Sequence, residues 1–240
     1  MQVIYIAVAL IGAYLIGSLS FAVIVSRVMG LADPREYGSK NPGATNVLRS
    51  GNKAAAILTL AFDALKGYVP VMLVLMFGPR FGLYDTVAAF AGLAAFVGHL
   101  WPVFFRFHGG KGVATAGGVL LAINPMLGLA TVLTWAIIAA FFRYSSLASL
   151  VAAVFAPFYQ ALIWGVEPAI VAIIGMCLLL VWRHQANISK LLAGKESKLG
   201  QKAAVPGGAA LAPHDKHHGH HGQQGHAAHL PPHKHKKGHH

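Results

Sequence analysis

Acidic residues and cysteine are scarce in this chain of 240 residues. It has seven Asp and Glu against 19 Lys and Arg, and only 11% of its residues are charged. The single cysteine, Cys177, lies within an apolar run, which excludes a disulfide framework and the paired-cysteine motifs of zinc and redox sites. The sequence therefore predicts no metal site and no cofactor.

Apolar residues, by contrast, make up 56% of the chain, and its mean hydropathy is +0.59. This composition excludes a water-soluble globular domain. The apolar runs continue almost to residue 183, and the basic residues lie between the runs rather than within them. That distribution indicates orientation in a membrane and anionic partners, not nucleic acid. The sequence predicts an all-α, polytopic integral membrane protein.

About seven transmembrane helices are expected. The run 111–142 would be about 48 Å long as one helix, more than a hydrocarbon core of about 30 Å can hold, and Asn124-Pro125 marks a break in it. Splitting it there leaves one short Gly-rich helix, 111–123. With the N-terminus outside and the C-terminus cytoplasmic, nearly all loop Lys and Arg residues fall on the inner side. The predicted helices are 3–26, 54–77, 84–105, 111–123, 126–142, 146–164 and 168–183.

Near residue 200 the composition changes to Gly, Pro, Lys and eleven of the fourteen histidines. Such a segment cannot bury a core. We therefore expect two parts, a membrane-embedded domain at 1–202 and a disordered His-rich tail at 203–240. The tail is expected to take no part in catalysis.

The loop 38–49, GSKNPGATNVLR, lies between two long apolar runs and is the most informative segment. Its small residues allow backbone N–H groups to converge on an anion, and its hydroxyl, amide and guanidinium groups add donors. The alternative is an ordinary basic loop on the cytoplasmic side. The candidate phosphate-binding residues of this loop are Ser39, Asn41, Thr45, Asn46 and Arg49.

A second Gly-rich turn, His108-Gly109-Gly110-Lys111, leads into the short helix. A helix N-terminus presents free N–H groups and the positive end of the helix dipole to a phosphate. The spacing does not match a P-loop. We take these four residues as candidate phosphate contacts, with tight packing of small residues as the alternative.

Further polar residues are expected on the same inner side. Asp63 and Lys66 are one turn apart in the second helix, either as an ion pair or with Lys66 facing the anion. His184 and Asn187 are three residues apart beyond the last apolar helix, so one helix face offers a titratable ring and an amide. Ser149 lies near the start of another helix, where capping is the alternative role.

Taken in order, these motifs resemble those of the bacterial acyl-phosphate:glycerol-3-phosphate acyltransferases. The resemblance implies an inner-membrane enzyme of phospholipid biosynthesis. It implies transfer of a fatty acyl group from acyl phosphate to the sn-1 hydroxyl of glycerol 3-phosphate, giving lysophosphatidic acid and inorganic phosphate without a covalent acyl-enzyme. The matching segments are GSKNPGATNVLR, FDALKG at 62–67, GHLWPVFF and RFHGGKGVATAGG within 98–118, YSSL at 144–147, and RHQANISKLLAGKE at 183–196.

The resemblance also implies roles for particular residues. The expected catalytic residues are Ser39, Lys111, His184 and Asn187, and Glu196 matches an acidic residue of the family. The proton of the attacking hydroxyl goes either to His184 or to a substrate phosphate oxygen. Two positions depart from the family pattern, since Lys40 replaces a commoner Gly and His108 a commoner Lys. The expected partners are glycerol 3-phosphate, a long-chain acyl phosphate, the lipid bilayer and the soluble enzyme that makes acyl phosphate.

A transporter or channel for organic phosphates is the alternative function. Transporters often contain paired repeats with matching broken helices. The sequence shows no second copy of either Gly-rich loop, and its basic residues gather at one face of the predicted bundle. These observations favour the enzyme.

Overall fold

The structure, a computed structural model, describes residues 1–203. All regular secondary structure in that part of the chain is helical, with no strand. The tail predicted for 203–240 lies, apart from Ala203, outside the described residues. Short 3-10 turns occur at Gly78–Phe81 and Val103–Phe105. The α-helices are α1 (Gln2–Gly17), α2 (Phe21–Val28), α3 (Ala44–Leu48), α4 (Lys53–Phe77), α5 (Asp85–Leu100), α6 (Val113–Ile123), α7 (Pro125–Phe142), α8 (Ser145–Ile163), α9 (Ala169–Arg183) and α10 (Gln185–Leu192).

Four helical segments in the described residues are long and apolar enough to cross a membrane: α4 with the 3-10 turn after it (Lys53–Phe81), α5 with the turn after it (Asp85–Phe105), α7 and α8. Two bent pairs, α1 with α2 at 41° and α9 with α10 at 57°, raise the number to six if each pair is one span. Helix α6 has only 11 residues and corresponds to the short Gly-rich helix expected at 111–123. The polytopic all-α fold is confirmed, whereas the seventh crossing and the orientation of the termini stay predictions.

The first predicted helix, 3–26, is wrong as a continuous element. The chain leaves helical geometry between Ser18 and Ser20, and the Ser18 hydroxyl donates a hydrogen bond back to the Tyr14 carbonyl at 2.9 Å. Such bonds compete with the helical ladder. The break frees the carbonyl of Leu19, which accepts a hydrogen bond from Lys66 Nζ at 2.6 Å.

The predicted third helix, 84–105, ends early, at Leu100. Pro102 lacks a backbone N–H and disfavours helical geometry at Trp101, so the helix cannot continue through it. Beyond it the chain reverses through Arg106 and Phe107, which both have positive φ, at 54° and 61°. This turn carries the chain to Gly109-Gly110 and then to α6.

The break expected at Asn124-Pro125 is confirmed. The Asn124 side chain accepts hydrogen bonds from the backbone N–H groups of Met126 and Leu127, and Pro125 is the first residue of α7. This is a favourable helix start, because the cap satisfies free N–H groups and Pro has none to satisfy.

Glycines allow α4, α5 and α6 to approach closely. A Cβ atom on Gly67 would overlap the Thr115 carbonyl oxygen, and one on Gly118 would overlap that of Ala64. Helix α6 thus packs directly against α4, and on its other side it packs against α7. The chain then continues through α8, against α7, and α9, against α8. These five helices surround a cavity.

Candidate active site

The cavity has a volume of about 780 Å³ and two chemically different ends. Its deep part is lined mainly by apolar residues of α4 and α6 to α9, with Asp63, His99 and Thr131 as the polar exceptions. Its mouth is lined by polar side chains from the loop 38–49, the Gly-rich turn, the start of α8 and the segment after α9. The polar residues at this mouth are Ser39, Asn41, Thr45, Asn46, Arg49, Lys111, Ser145, Ser146, Ser149, His184, Asn187, Glu196 and Ser197.

Asn46 holds the loop 38–49 together. Its side chain is almost fully buried, its Nδ2 donates to the carbonyls of Pro34 (2.7 Å) and Tyr37 (3.2 Å), and its Oδ1 accepts from the Ser39 N–H at 2.9 Å. Both donor hydrogens are therefore committed to the backbone. In this structure Asn46 shapes the loop that presents Ser39, and its predicted contact with phosphate stays a prediction.

Arg49 and Thr45 connect this loop to distant parts of the chain. Arg49 Nη2 donates to Ser197 Oγ at 2.6 Å, and Thr45 Oγ1 lies 3.1 Å from Ser145 Oγ. The contacts leave most of the Arg49 guanidinium donors available. Together with Ser39 and Asn41, which also line the mouth, they form one side of a site rich in donors.

The Gly-rich turn is held by Arg183, at the end of α9. Its guanidinium donates to the carbonyls of Gly109 (3.0 Å) and Gly110 (3.0 and 3.2 Å), and the Gly110 N–H donates to the His99 carbonyl at 3.2 Å. A Cβ on either glycine would overlap atoms of α5. Neither glycine lines the cavity, and His108, which is exposed, does not line it either. Tight packing accounts for Gly109 and Gly110, and the phosphate contacts predicted for these three residues stay predictions.

Lys111 is the residue of this turn that reaches the cavity. Its Nζ donates to Asn187 Oδ1. Burial lowers the pKa of Lys111 to about 8; Glu196 opposes this shift, and the charges of Arg49, Lys190 and Arg183 add to it. A bound phosphate would stabilise the ammonium form, since an opposite charge nearby favours ionisation.

Glu196 joins the residues around Lys111 into one network. Its Oε1 accepts hydrogen bonds from Asn187 Nδ2 at 2.7 Å and from Ser146 Oγ at 2.8 Å. Because Asn187 donates through its nitrogen to Glu196, its oxygen is directed at Lys111. The network fixes the orientation of an amide that would otherwise rotate freely.

The His184 ring is 2% exposed and lines the mouth. Its Nδ1 lies 2.8 Å from the Leu180 carbonyl oxygen, which can only accept, so Nδ1 carries a hydrogen. In a neutral ring the lone pair is then on Nε2. Nε2 is the atom that can accept a hydrogen bond or a proton.

Ser149 lines the cavity, but its hydroxyl is largely engaged. It donates to the Ser145 carbonyl at 2.7 Å and accepts from Trp135 Nε1 at 3.1 Å. Its hydrogen is thus unavailable to a phosphate in this arrangement, and one lone pair remains. The structure places Ser149 at the predicted site as an acceptor.

Lys66 and Asp63 form the ion pair that was one of the two expected arrangements. Lys66 Nζ lies 2.8 Å from Asp63 Oδ1, with both side chains about 2 to 3% exposed. Lys66 also donates to the Leu19 carbonyl and does not line the cavity. Its donors are directed at the break between α1 and α2 and at its own helix, and the alternative in which Lys66 binds phosphate stays a prediction.

Several residues at or behind the mouth were not predicted from sequence. Arg183 and Trp135 act through contacts that only the fold creates. Glu196 carried a signal, since it is the only acidic residue in the basic segment 183–203. In residues 1–203 there is no group of three His, Cys, Asp or Glu side chains that could hold a metal ion. Glu196 was matched to the family without a role, and the other network residues that were not predicted as site residues are Trp135, Ser145, Ser146, Arg183 and Ser197.

A bundle of apolar helices with a cationic mouth leading into an apolar cavity defines a membrane protein that acts on amphipathic anions. Residues 7–194 match the family described as Glycerol-3-phosphate acyltransferase. The chain belongs to this family, and the protein is an acyltransferase. The resemblance seen in its motifs is confirmed.

Relatives of known sequence and structure agree with this membership. The glycerol-3-phosphate acyltransferase of Burkholderia cenocepacia is 64% identical over 209 residues, which cover 85% of this chain and 96% of the relative. That of Paraburkholderia phymatum is 64% identical over 198 residues, covering 82% and 94%. The crystal structure of PlsY (YgiH), an integral membrane glycerol 3-phosphate acyltransferase, in its glycerol 3-phosphate form has a TM-score of 0.75 and 38% identity, covering 81% of this chain and 96% of that one. Its lysophosphatidic acid form has a TM-score of 0.74.

Proposed function

We propose that the protein transfers a fatty acyl group from a long-chain acyl phosphate to the sn-1 hydroxyl of glycerol 3-phosphate in the bacterial inner membrane. The products are lysophosphatidic acid and inorganic phosphate. The observation that carries this proposal is a single cavity of about 780 Å³ that has a cationic mouth, with Arg49 and Lys111, and a mainly apolar interior.

The two ends of the cavity suit the two parts of these substrates. Arg49, Ser39 and Asn41 on one side of the mouth and Lys111 on the other supply charged and neutral donors to two phosphate groups. The acyl chain lies in the apolar part. Such a site brings together two anions that repel each other in water and aligns the hydroxyl with the acyl carbonyl.

The reaction is a direct transfer. The sn-1 hydroxyl oxygen of glycerol 3-phosphate forms a bond to the acyl carbonyl carbon, and the bond from this carbon to the phosphate oxygen breaks. The hydroxyl proton leaves with the phosphate, either by direct transfer to its oxygen or through Nε2 of His184. Because a mixed anhydride is already activated, no covalent acyl-enzyme is needed. Ser39 and the loop N–H groups stabilise the negative charge that develops on the carbonyl oxygen.

The remaining polar residues position these groups. Glu196 orients the Asn187 amide beside the Lys111 ammonium, while Asn46 and Arg183 shape the two loops. Thr45 and Ser149 line the mouth as secondary contacts. We assign the catalytic roles to Ser39, Lys111, His184 and Asn187.

Acyl phosphate as the donor is tested by a comparison of donors. Purified full-length protein in lipid nanodiscs would be given labelled glycerol 3-phosphate with palmitoyl phosphate or with palmitoyl-CoA. We expect lysophosphatidic acid and inorganic phosphate in equal amounts from palmitoyl phosphate and no product from palmitoyl-CoA. Equal rates from the two donors would contradict the proposed donor.

The absence of product from either donor would contradict the proposed reaction. Uptake of glycerol 3-phosphate into proteoliposomes would then test the transport alternative. The soluble enzyme that makes acyl phosphate is a proposed partner, since it would supply this short-lived donor.

A further inference from the structure

Two adjacent glycines of α6 differ in what surrounds them. A Cβ on Gly118 would overlap the Ala64 carbonyl oxygen, so packing explains that glycine. A Cβ on Gly117 would have no neighbour closer than Val132 Cγ2, at 3.9 Å. The backbone at Gly117 is helical, without a positive φ. Because Gly inside a helix lowers its stability relative to Ala, Gly117 needs a reason other than packing or backbone geometry.

The space beside Gly117 belongs to the cavity and reaches the outer surface of the bundle. Ile57 and Leu60 of α4 and Val132 of α7 line the cavity, yet they are 64%, 53% and 42% exposed. Helix α6 lies between α4 and α7 and packs against both. The cavity is therefore open to the outer surface of the bundle between α4 and α7. Gly117 of α6 lines the cavity beside this opening, next to Val132.

The depth of the cavity matches a membrane acyl chain. Its deepest lining residues are Thr131, Ala156 and Ile173. At 1.5 Å per residue each lies about 15 to 17 Å from the loop end of its helix. This is half of a hydrocarbon core of about 30 Å, the thickness that the chains of one leaflet occupy. Gly117 lines the same cavity about 6 Å beyond the start of α6, between the mouth and these deepest residues.

We propose that Gly117 keeps a lateral opening between α4 and α7 free for the acyl chain, and thereby determines that the site accepts long-chain donors. This inference rests on the proposed acyl transfer. A donor with a short chain occupies only the mouth and the first turn of the cavity. A long chain enters from the bilayer past Ile57, Leu60 and Val132 and leaves by the same route as part of the product.

The test compares donors of two lengths in the variant Gly117→Leu. We expect its kcat/KM for palmitoyl phosphate to fall about tenfold or more, while that for butyryl phosphate stays within about twofold of the unaltered protein. Gly12→Leu is the matched control, since Gly12 is also helical and has nothing within 4 Å of an added Cβ. It should leave both values unchanged.

A second variant keeps the test decisive if Gly117→Leu does not fold. Gly117→Ala should raise Tm by about 2 °C and still lower the ratio of palmitoyl to butyryl transfer severalfold. A raised Tm with an unchanged ratio overturns the inference, as do equal losses on both donors in Gly117→Leu. Failure of the unaltered protein to use either donor would instead refute the proposed reaction, so the two failures are distinguishable.

Discussion

Lys111 is the residue on which the proposed chemistry depends most directly. It is the cation of the second loop that reaches the mouth, and it is held by the oxygen of Asn187. Burial lowers its pKa to about 8, so the free protein begins to lose this charge at mildly alkaline pH. The lost charge matters because phosphate binding requires the ammonium form.

This shift predicts the pH dependence of the reaction. The value of kcat/KM for glycerol 3-phosphate, which reports on the free enzyme, should fall as pH rises through about 8. The guanidinium in Lys111→Arg stays charged up to about pH 12. The kcat/KM of any activity that remains should therefore no longer fall as pH rises through about 8. If kcat/KM of Lys111→Arg fell at the same pH as that of the unaltered protein, the titrating group would be another residue.

Some residue roles could be predicted from sequence and others could not. Lys111, His184 and Asn187 were predicted and do line one mouth, because each carries a donor or acceptor with no local partner in its own helix or loop. Asn46 and Lys66 engage backbone carbonyls of residues that the fold brings near them, and their predicted phosphate contacts stay predictions. Sequence does not report whether a polar group meets a ligand or a distant carbonyl.

At the scale of elements, the link between α9 and the Gly-rich turn has a measurable role. One guanidinium binds two successive carbonyls, a geometry that Lys cannot reproduce. We expect Arg183→Lys to raise KM for glycerol 3-phosphate about tenfold while kcat changes less, since hydrogen bonds to charged groups contribute about 1.5 to 3 kcal/mol. Steady-state kinetics of protein with unaltered Tm would check this. A kcat loss at constant KM would indicate a role in chemistry instead.

The ion pair between α4 residues Asp63 and Lys66 makes a prediction about stability. Removing one partner leaves a buried charge, which typically costs about 3 to 5 kcal/mol. We expect Lys66→Met to lower the unfolding temperature strongly, and the double variant with Asp63→Leu to recover most of the loss. Thermal unfolding in detergent would measure both. A double variant as unstable as the single one would contradict this account.

Helix boundaries were predictable where a local signal exists. The predicted helices 126–142 and 146–164 differ by one residue from α7 and by one at each end from α8, because Asn124-Pro125 and Arg143 mark their limits. The predicted helix 3–26 missed its break, because the apolar run continues through Gly17 and Ser18, and an isolated Gly is tolerated inside such a run. The Leu19 carbonyl that the break frees is bound by Lys66, from another helix.

Across the whole molecule, the segment 195–203 connects parts of the mouth that are far apart in sequence. Ser197 Oγ accepts from Arg49, the Leu199 N–H donates to the Arg143 carbonyl at 2.7 Å, and the Ala203 N–H donates to the Arg49 carbonyl at 3.1 Å. With Glu196 at its start, this segment joins the first loop, the start of α8 and α10. The domain boundary predicted after residue 202 stays a prediction, and it falls at the last bonded residue of this segment.

This arrangement predicts different results for two truncations. Removing 204–240 should leave acyl transfer within about twofold of the full chain, since every contact named above remains. Removing 195–240 should lower it by more than about tenfold, a loss of about 1.4 kcal/mol or more in transition-state stabilisation. Equal activity of the two truncated proteins would show that the segment 195–203 is dispensable.

The central claim is that Lys111, at the mouth of the apolar cavity, binds the phosphate substrates of an acyl transfer. The most direct measurement is formation of lysophosphatidic acid from palmitoyl phosphate and labelled glycerol 3-phosphate by the full chain and by Lys111→Met of equal Tm. We predict product from the unaltered protein and a loss of at least about 100-fold in the variant. Comparable rates from the two proteins would contradict the claim.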